Sequence, residues 1–243
     1  ARPPVRRALS LADVAGMLEM RLFQPEVSAE HVAGQASHAA DLGLAAVMCR
    51  PEHVATAAAS VHGSPVGICV AVDFSQPAGP ELDLPSLTDE AHRLARAGAT
   101  SLALVVNAAR MRHDTWTEAL AMLARVAQET GATSRAMVDV RGMTLDQAVA
   151  TAVRCQQAGA AVIQAGSWNN QGATFTLLGA LRGALDPHIT LKWTRPIRSI
   201  DALLLGVAEG GRLFNADVDS LIAEATRRQE WLPLNVPLPG YDY

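Results

Sequence analysis

Short apolar runs and amphipathic stretches take turns along this chain, and that alternation restricts what it can fold into more than any single residue does. Runs at 20–23, 45–49, 66–74, 101–107, 135–140, 161–165, 189–192 and 212–215 read as strands. Between and after them, 28–41, 51–61, 87–97, 115–130, 144–158, 174–185, 199–207 and 218–228 carry apolar residues at helical spacing, and several open on a Ser, Thr or Asp suited to cap a first turn. Gly43, Gly98, Gly131 and Gly159 each stand just past a predicted helix, where a left-handed closing residue is wanted. Parallel strands cannot be joined by a hairpin and need a crossover, so strict alternation predicts a parallel sheet. Eight such units in 243 residues match a closed (β/α)8 TIM barrel of the α/β class. The rival, an open doubly wound sheet, lacks the Gly-x-Gly-x-x-Gly turn after its first strand. No Pro/Gly/Ser linker divides the chain, which predicts one barrel domain over 1–231 with a short N-terminal extension, then a mobile, proline-punctuated tail over 232–243.

Composition bounds the partners. Hydrophobic residues make up 49% of the chain and charged ones 18%, as in a globular protein. The formal charge is −4 and the arginines are scattered, so there is no basic stripe for nucleic acid. Arg2, Arg6 and Arg7 begin the chain, but Asp13 and Glu19 interrupt any signal-like core, and no run approaches the roughly eighteen apolar residues of a membrane span. The expectation is a soluble, cytoplasmic protein without a membrane partner. Cys49, Cys69 and Cys155 have neither disulfide nor metal spacing, and the seven histidines form no H-x-x-x-H or H-E-x-x-H pattern. No metal and no cofactor is expected.

Barrels of this kind work at the C-terminal ends of their strands, and here those ends are polar. They carry Glu19 and Arg21, Arg50, Asp73, Asn107, Asp139, Gln164 with Ser167, Lys192 with Arg195, and Asn215 with Asp217. Asp217 also suits the N-cap of the last helix. Lys192 is the only lysine among twenty basic side chains. Arginine replaces lysine as a surface charge but cannot give up its proton to become an attacking amine. A lone lysine in an apolar strand is therefore either an ion-pair partner or a catalytic group.

Taken in order, several segments resemble the deoxyribose-phosphate aldolases, class I aldolases on a (β/α)8 barrel. They are Leu18-Glu19-Met20-Arg21-Leu22-Phe23-Gln24-Pro25, Ala45-Ala46-Val47-Met48-Cys49-Arg50-Pro51, Ala97-Gly98-Ala99 with Val105-Val106-Asn107, Ala158-Gly159-Ala160 leading to Gly172-Ala173-Thr174, and Leu191-Lys192-Trp193-Thr194-Arg195-Pro196-Ile197-Arg198. The resemblance spans about residues 14 to 226 and implies an aldolase-type barrel. It breaks at catalytic positions. The family's Schiff-base lysine falls on Gln164, its strand-four aspartate on Ala103, its strand-one aspartate on Glu19 and its strand-five lysine on Arg135. Family glycines that bind phosphate are replaced by Arg195-Pro196 and Phe214-Asn215-Ala216, and Pro196 has no N–H to offer a phosphate. Lys192 matches the family's second active-site lysine, and Tyr241 and Tyr243 lie where the family ends in a proton-relaying tyrosine.

The resemblance thus implies an aldolase-like carbon–carbon lyase or synthase for a small anionic carbonyl compound other than deoxyribose 5-phosphate. Lys192 would form the Schiff base, Glu19, Asp73 or Asp139 would move protons, and Tyr243 would relay them. Arg21, Arg50, Arg135 and Arg195 would favour an anion, with Asn107, Gln164, Ser167 and Asn215 completing the binding set. Trp168 and Trp193 either face the mouth, for a larger or flatter substrate, or pack in loops. A homo-oligomer, a dimer, is expected, and a specialised biosynthetic role would suit a remodelled pocket. The alternatives are a noncovalent cyclase, dehydratase or isomerase on the same barrel, or a catalytically silent ligand-binding protein.

Overall fold

The computed structural model describes residues 7–74, 82–113, 115–166 and 174–238. Its elements run β1 (Ala8–Leu9), α1 (Leu11–Ala15), β2 (Leu18–Leu22), α2 (Ala29–Leu42), β3 (Ala46–Cys49), α3 (Val54–Ser60), β4 (Gly67–Ala71), α4 (Leu84–Arg96), β5 (Ser101–Val106), α5 (Thr115–Thr130) and β6 (Thr133–Asp139). They continue with α6 (Leu145–Gln157), β7 (Val162–Gly166), α7 (Phe175–Ala184), β8 (Thr190–Ile197), α8 (Ile200–Ala208), β9 (Gly211–Ala216), α9 (Val218–Gln229) and β10 (Leu234–Asn235). Strands β2 to β9 pair in chain order, all parallel, and β9 closes on β2 through Glu19 opposite Asn215. The (β/α)8 barrel read from the alternation is the observed fold.

Local chemistry sets the element ends. Ser28, Thr144, Thr174, Ser199 and Asp217 each accept a hydrogen bond from a first-turn N–H, satisfying donors that a helix start leaves unpaired. Gly43 closes α2 at φ +67°, a conformation that strains any residue with a Cβ.

Strand side chains alternate between two cores. The larger lies between strands and helices and includes Val47, Ile68, Leu104, Ile163, Leu191 and Phe214. The smaller lies inside the barrel and comprises Met48, Cys69, Ala71, Ala103, Val105 and Met137, with Phe23 and Phe74 against it. This lumen cluster comes from β3 to β6 only, so one side of the barrel interior is apolar. The polar groups come from β6 round to β2, with β6 contributing to both sides through Met137 and through Arg135 and Asp139.

Several expectations shift. The run 66–74 is strand only over Gly67–Ala71, and Val72 to Phe74 turn away from it. Strand β8 outlasts its expected end at Lys192, and its ladder to β9 slips between Trp193 and Ile197, where Pro196 has no N–H to donate. Trp193 does not face the mouth: it is buried in the outer core and stacks on Phe175 of α7 at 5.0 Å between ring centroids. The segment after α9 includes β10. Leu234 and Asn235 pair antiparallel with Leu9 and Ala8, and the Leu234 side chain is fully buried. Among the described residues no helix is long and apolar enough to cross a membrane.

Candidate active site

Inward positions on one strand lie two residues apart, so the barrel interior is built in layers. The lower polar layer consists of Glu19 on β2, Arg135 on β6, Gln164 on β7 and Lys192 on β8, all buried. Arg135 grips Glu19 with both Nη atoms, at 2.8 and 3.0 Å, and Nη1 also donates to Gln164 Oε1 at 3.3 Å. Lys192 Nζ donates to Glu19 Oε2. Lys192 is 1% exposed and, with Gln164, forms a register pair across β7 and β8.

Two cations thus share one buried carboxylate. Burial by itself would raise the Glu19 pKa, but Arg135 and then Lys192 outweigh it and hold the carboxyl at about 2. Burial lowers the Lys192 pKa, and Arg135 adds to that, while Glu19 opposes it. Arg135 stays charged, so Lys192 is the member of the layer that can relieve the excess positive charge by giving up a proton.

Above this layer lies a cavity of about 440 Å³, counting space open to solvent. Its polar lining is Arg21, Asp139, Gln164, Thr194 and Asn215, and its apolar lining includes Phe23, Met48, Val105 and Met137. Gln164 belongs to both levels. Arg21 stands two residues beyond Glu19 on the same strand, with its guanidinium 5.9 Å from the Phe23 ring centroid. Burial lowers its pKa. Asp139 ends β6 and is held by Arg141, whose Nε lies 2.9 and 3.0 Å from its two carboxylate oxygens. Asn215 donates its Nδ2 to the Thr194 carbonyl at 3.0 Å.

The structure therefore brings Arg21, Asp139, Gln164 and Asn215 to one cavity, with Glu19, Arg135 and Lys192 packed beneath it. Lys192 does not line the cavity. Asp73 is not there either: it sits 5% exposed in the turn after β4, paired with Arg110, and burial pushes its carboxyl up despite that arginine. Asn107 accepts from the Arg110 backbone N–H at 3.0 Å and shapes the same turn region. Arg50 bonds Glu52 at 2.5 Å and lies 4.8 Å from the Phe74 ring centroid. Arg195 is exposed near the end of β8. Of the four arginines expected to bind an anion, Arg21 alone lines the cavity; strand parity and local pairs take up the others. Ser167, Trp168, Tyr241 and Tyr243 lie outside the described residues.

Thr194, Gly166 and Arg141 were not among the expected site residues. The two-residue period from Lys192 and from Gln164 points to the first two, since it brings Thr194 and Gly166 to the level above. Among the described residues no three of His, Cys, Asp and Glu are placed to hold a metal ion.

A buried lysine–carboxylate–arginine layer beneath a mouth cavity, in a closed parallel (β/α)8 barrel, is the candidate site of this fold. The chain is 24% identical over 194 residues to a deoxyribose-phosphate aldolase of Thermosynechococcus vestitus, covering 80% of this chain and 88% of that one. No protein-family model matches it. The fold matches the solved structure of QR15, an aldolase, at a TM-score of 0.78 and 20% identity, covering 90% of this chain and 99% of that one. It also matches a tetrameric deoxyribose phosphate aldolase from Aeropyrum pernix at a TM-score of 0.74 and 19% identity, covering 91% and 93%. In sequence the chain is thus similar to deoxyribose-phosphate aldolases, and in fold to solved aldolase barrels.

Proposed function

We propose that this protein is an aldolase-like carbon–carbon lyase or synthase for a small anionic carbonyl compound other than deoxyribose 5-phosphate, working through a Schiff base on Lys192. The observation that carries the reading is the charge balance of the lower layer, where Glu19 faces both Arg135 and Lys192. Neutralising Lys192 leaves a matched Glu19–Arg135 pair and a nucleophilic amine. To act, the amine must turn from Glu19 past Gln164 into the cavity above. There it would add to the carbonyl, water would leave, and the iminium would take up the electron pair of the breaking carbon–carbon bond. Asp139, the carboxylate on the cavity wall, would carry the substrate's protons on this reading, with Glu19 receiving or returning the lysine proton and Tyr243 relaying protons. Arg21 would hold the anion. A substrate other than deoxyribose 5-phosphate follows from Gln164, Ala103 and Pro196 standing where the resemblance wants lysine, aspartate and a phosphate-binding glycine. A homo-oligomer, a dimer, and a cytoplasmic location belong to the same proposal.

One observation favours a second reading. The cavity is lined by Asp139, Gln164 and Asn215 and not by Lys192, which suits a noncovalent cyclase, dehydratase or isomerase with Asp139 as base. Incubation with small aldehydes, ketones and keto acids plus borohydride, followed by peptide mapping, separates the two. A ligand-sized adduct on Lys192 that is absent from Lys192→Arg supports the Schiff base. Turnover of a compound that leaves no adduct supports the noncovalent reaction.

A further inference from the structure

Asn215 is 1% exposed at the end of β9, and its amide orientation is not arbitrary. The Thr194 carbonyl oxygen 3.0 Å away can only accept, so the NH₂ group must face it and Oδ1 must lie on the other side of the amide. That Oδ1 is buried and, among the described residues, without a hydrogen-bond partner. The Thr194 hydroxyl is in the same condition. Both residues line the mouth cavity.

The chain makes room for this pair. Gly166, on neighbouring β7, has φ +152°, and a Cβ built on it would lie 2.4 Å from Thr194 Cβ and 2.8 Å from its Oγ1. Only glycine lets the Thr194 side chain occupy that place. Buried polar atoms left unpaired are unfavourable, so two of them on one cavity wall are complementary to a group that arrives from outside.

The chemistry of that group is restricted. Oδ1 is an uncharged acceptor and needs a donor. A phosphate or carboxylate oxygen that carries no proton has none to give and would meet it acceptor to acceptor. A hydroxyl donates to Oδ1 and accepts from Thr194 Oγ1. We propose that Asn215 and Thr194 form a specificity subsite for a hydroxyl group of the substrate, with the anionic group directed to Arg21 instead. Arg21 lies two residues beyond Glu19, the register partner of Asn215, so the anion and the hydroxyl are held on adjacent strands. Across from them stand Met48, Val105 and Met137, which offer the substrate's carbon skeleton an apolar wall. The substrate class is thus a small hydroxylated oxo acid or its like. This inference rests on the reading of the cavity as the substrate site.

The test compares binding of 4-hydroxy-2-oxobutanoate and 2-oxobutanoate, which differ by one hydroxyl, using protein-detected NMR titration of the full chain. The wild-type protein is expected to bind the hydroxylated compound about tenfold more tightly, the worth of one well-made hydrogen bond. Thr194→Val, which keeps the shape, and Asn215→Ala should each reduce that preference towards unity while 2-oxobutanoate binds as before. Equal binding by the wild type, a preference that survives both substitutions, or no shift with either compound overturns the subsite. Borohydride trapping on the same samples separates this proposal from the one it rests on. An adduct on Lys192 without a hydroxyl preference overturns the subsite alone, and a preference without an adduct overturns the Schiff base alone.

Discussion

Replacing Glu19 with glutamine takes the single negative charge out of a layer that holds two positive ones and leaves the shape almost unchanged. Glu19, Arg135 and Lys192 are each buried, so water cannot substitute for the lost carboxylate. Removing one partner of a buried ion pair costs about 3–5 kcal/mol, because the remaining charge is left uncompensated. In a single domain of this size that corresponds to a drop of roughly 6–20 °C in Tm. The loss should depend on pH in a defined direction. Arg135 cannot shed its proton, but Lys192 can, and without Glu19 nothing in the layer opposes the lowering of its pKa by burial and by Arg135. A lysine whose folded pKa lies below its unfolded value binds fewer protons folded than unfolded, so stability rises with pH between the two. Glu19→Gln should therefore be most damaging at acidic to neutral pH and progressively less so as pH rises towards about 10.4, the value of the unfolded amine. Thermal unfolding followed by circular dichroism across that range reads both the size and the slope. Adding Lys192→Met to Glu19→Gln should restore much of the loss and flatten the slope. A Glu19→Gln protein as stable as wild type, or one whose loss is independent of pH, would refute the charge-layer argument.

Three further outcomes follow from other parts of the structure. Glu19 titrates at about 2 against an ordinary 4.5, so its carboxylate contributes about 3 kcal/mol that is present above pH 4.5 and lost as pH falls towards 2; denaturant midpoints measured down that range should show the decline in wild type and not in Glu19→Gln. Arg110→Met should destabilise by about 3–5 kcal/mol at neutral pH by stranding Asp73, whose pKa would rise further above its unfolded value. A raised carboxyl is a liability above its unfolded pKa, so this variant should regain stability on acidification, opposite in sign to the Glu19 effect. Gly166→Ala should cost about 1–3 kcal/mol through backbone strain and collision with Thr194, measured by urea unfolding, and no alanine at a negative-φ surface position should match it.

Some of the candidate site was legible before any coordinates. Lys192 is conspicuous as the single lysine, and its partners Glu19 and Arg135 stand where the resemblance has an aspartate and a lysine. What one-dimensional reading could not supply was which strand-end residues face inward. Asp73, Asn107 and Arg50 follow strands whose ends are as polar as those of Asp139 and Asn215, yet turn geometry and local pairing draw them off the cavity, and Arg195, one residue beyond Thr194, is turned outward by strand parity. The same parity decides between the two places open to Trp193: one residue beyond inward-facing Lys192, it points to the helices and stacks on Phe175.

The alternation of strand and helix signals, the capping residues and the glycine stops are local, each satisfied by a few neighbouring residues, and so the sequence by itself determined a parallel eight-fold barrel and the identity of its lone amine. The pairing of Glu19 with residues 116 and 173 positions away, the unpartnered face of the Asn215 amide and the division of the lumen into an apolar and a polar wall were decided by the tertiary structure alone. These depend on the register in which β9 closes on β2, and closure is a relation between strands far apart in the chain that no local signal encodes.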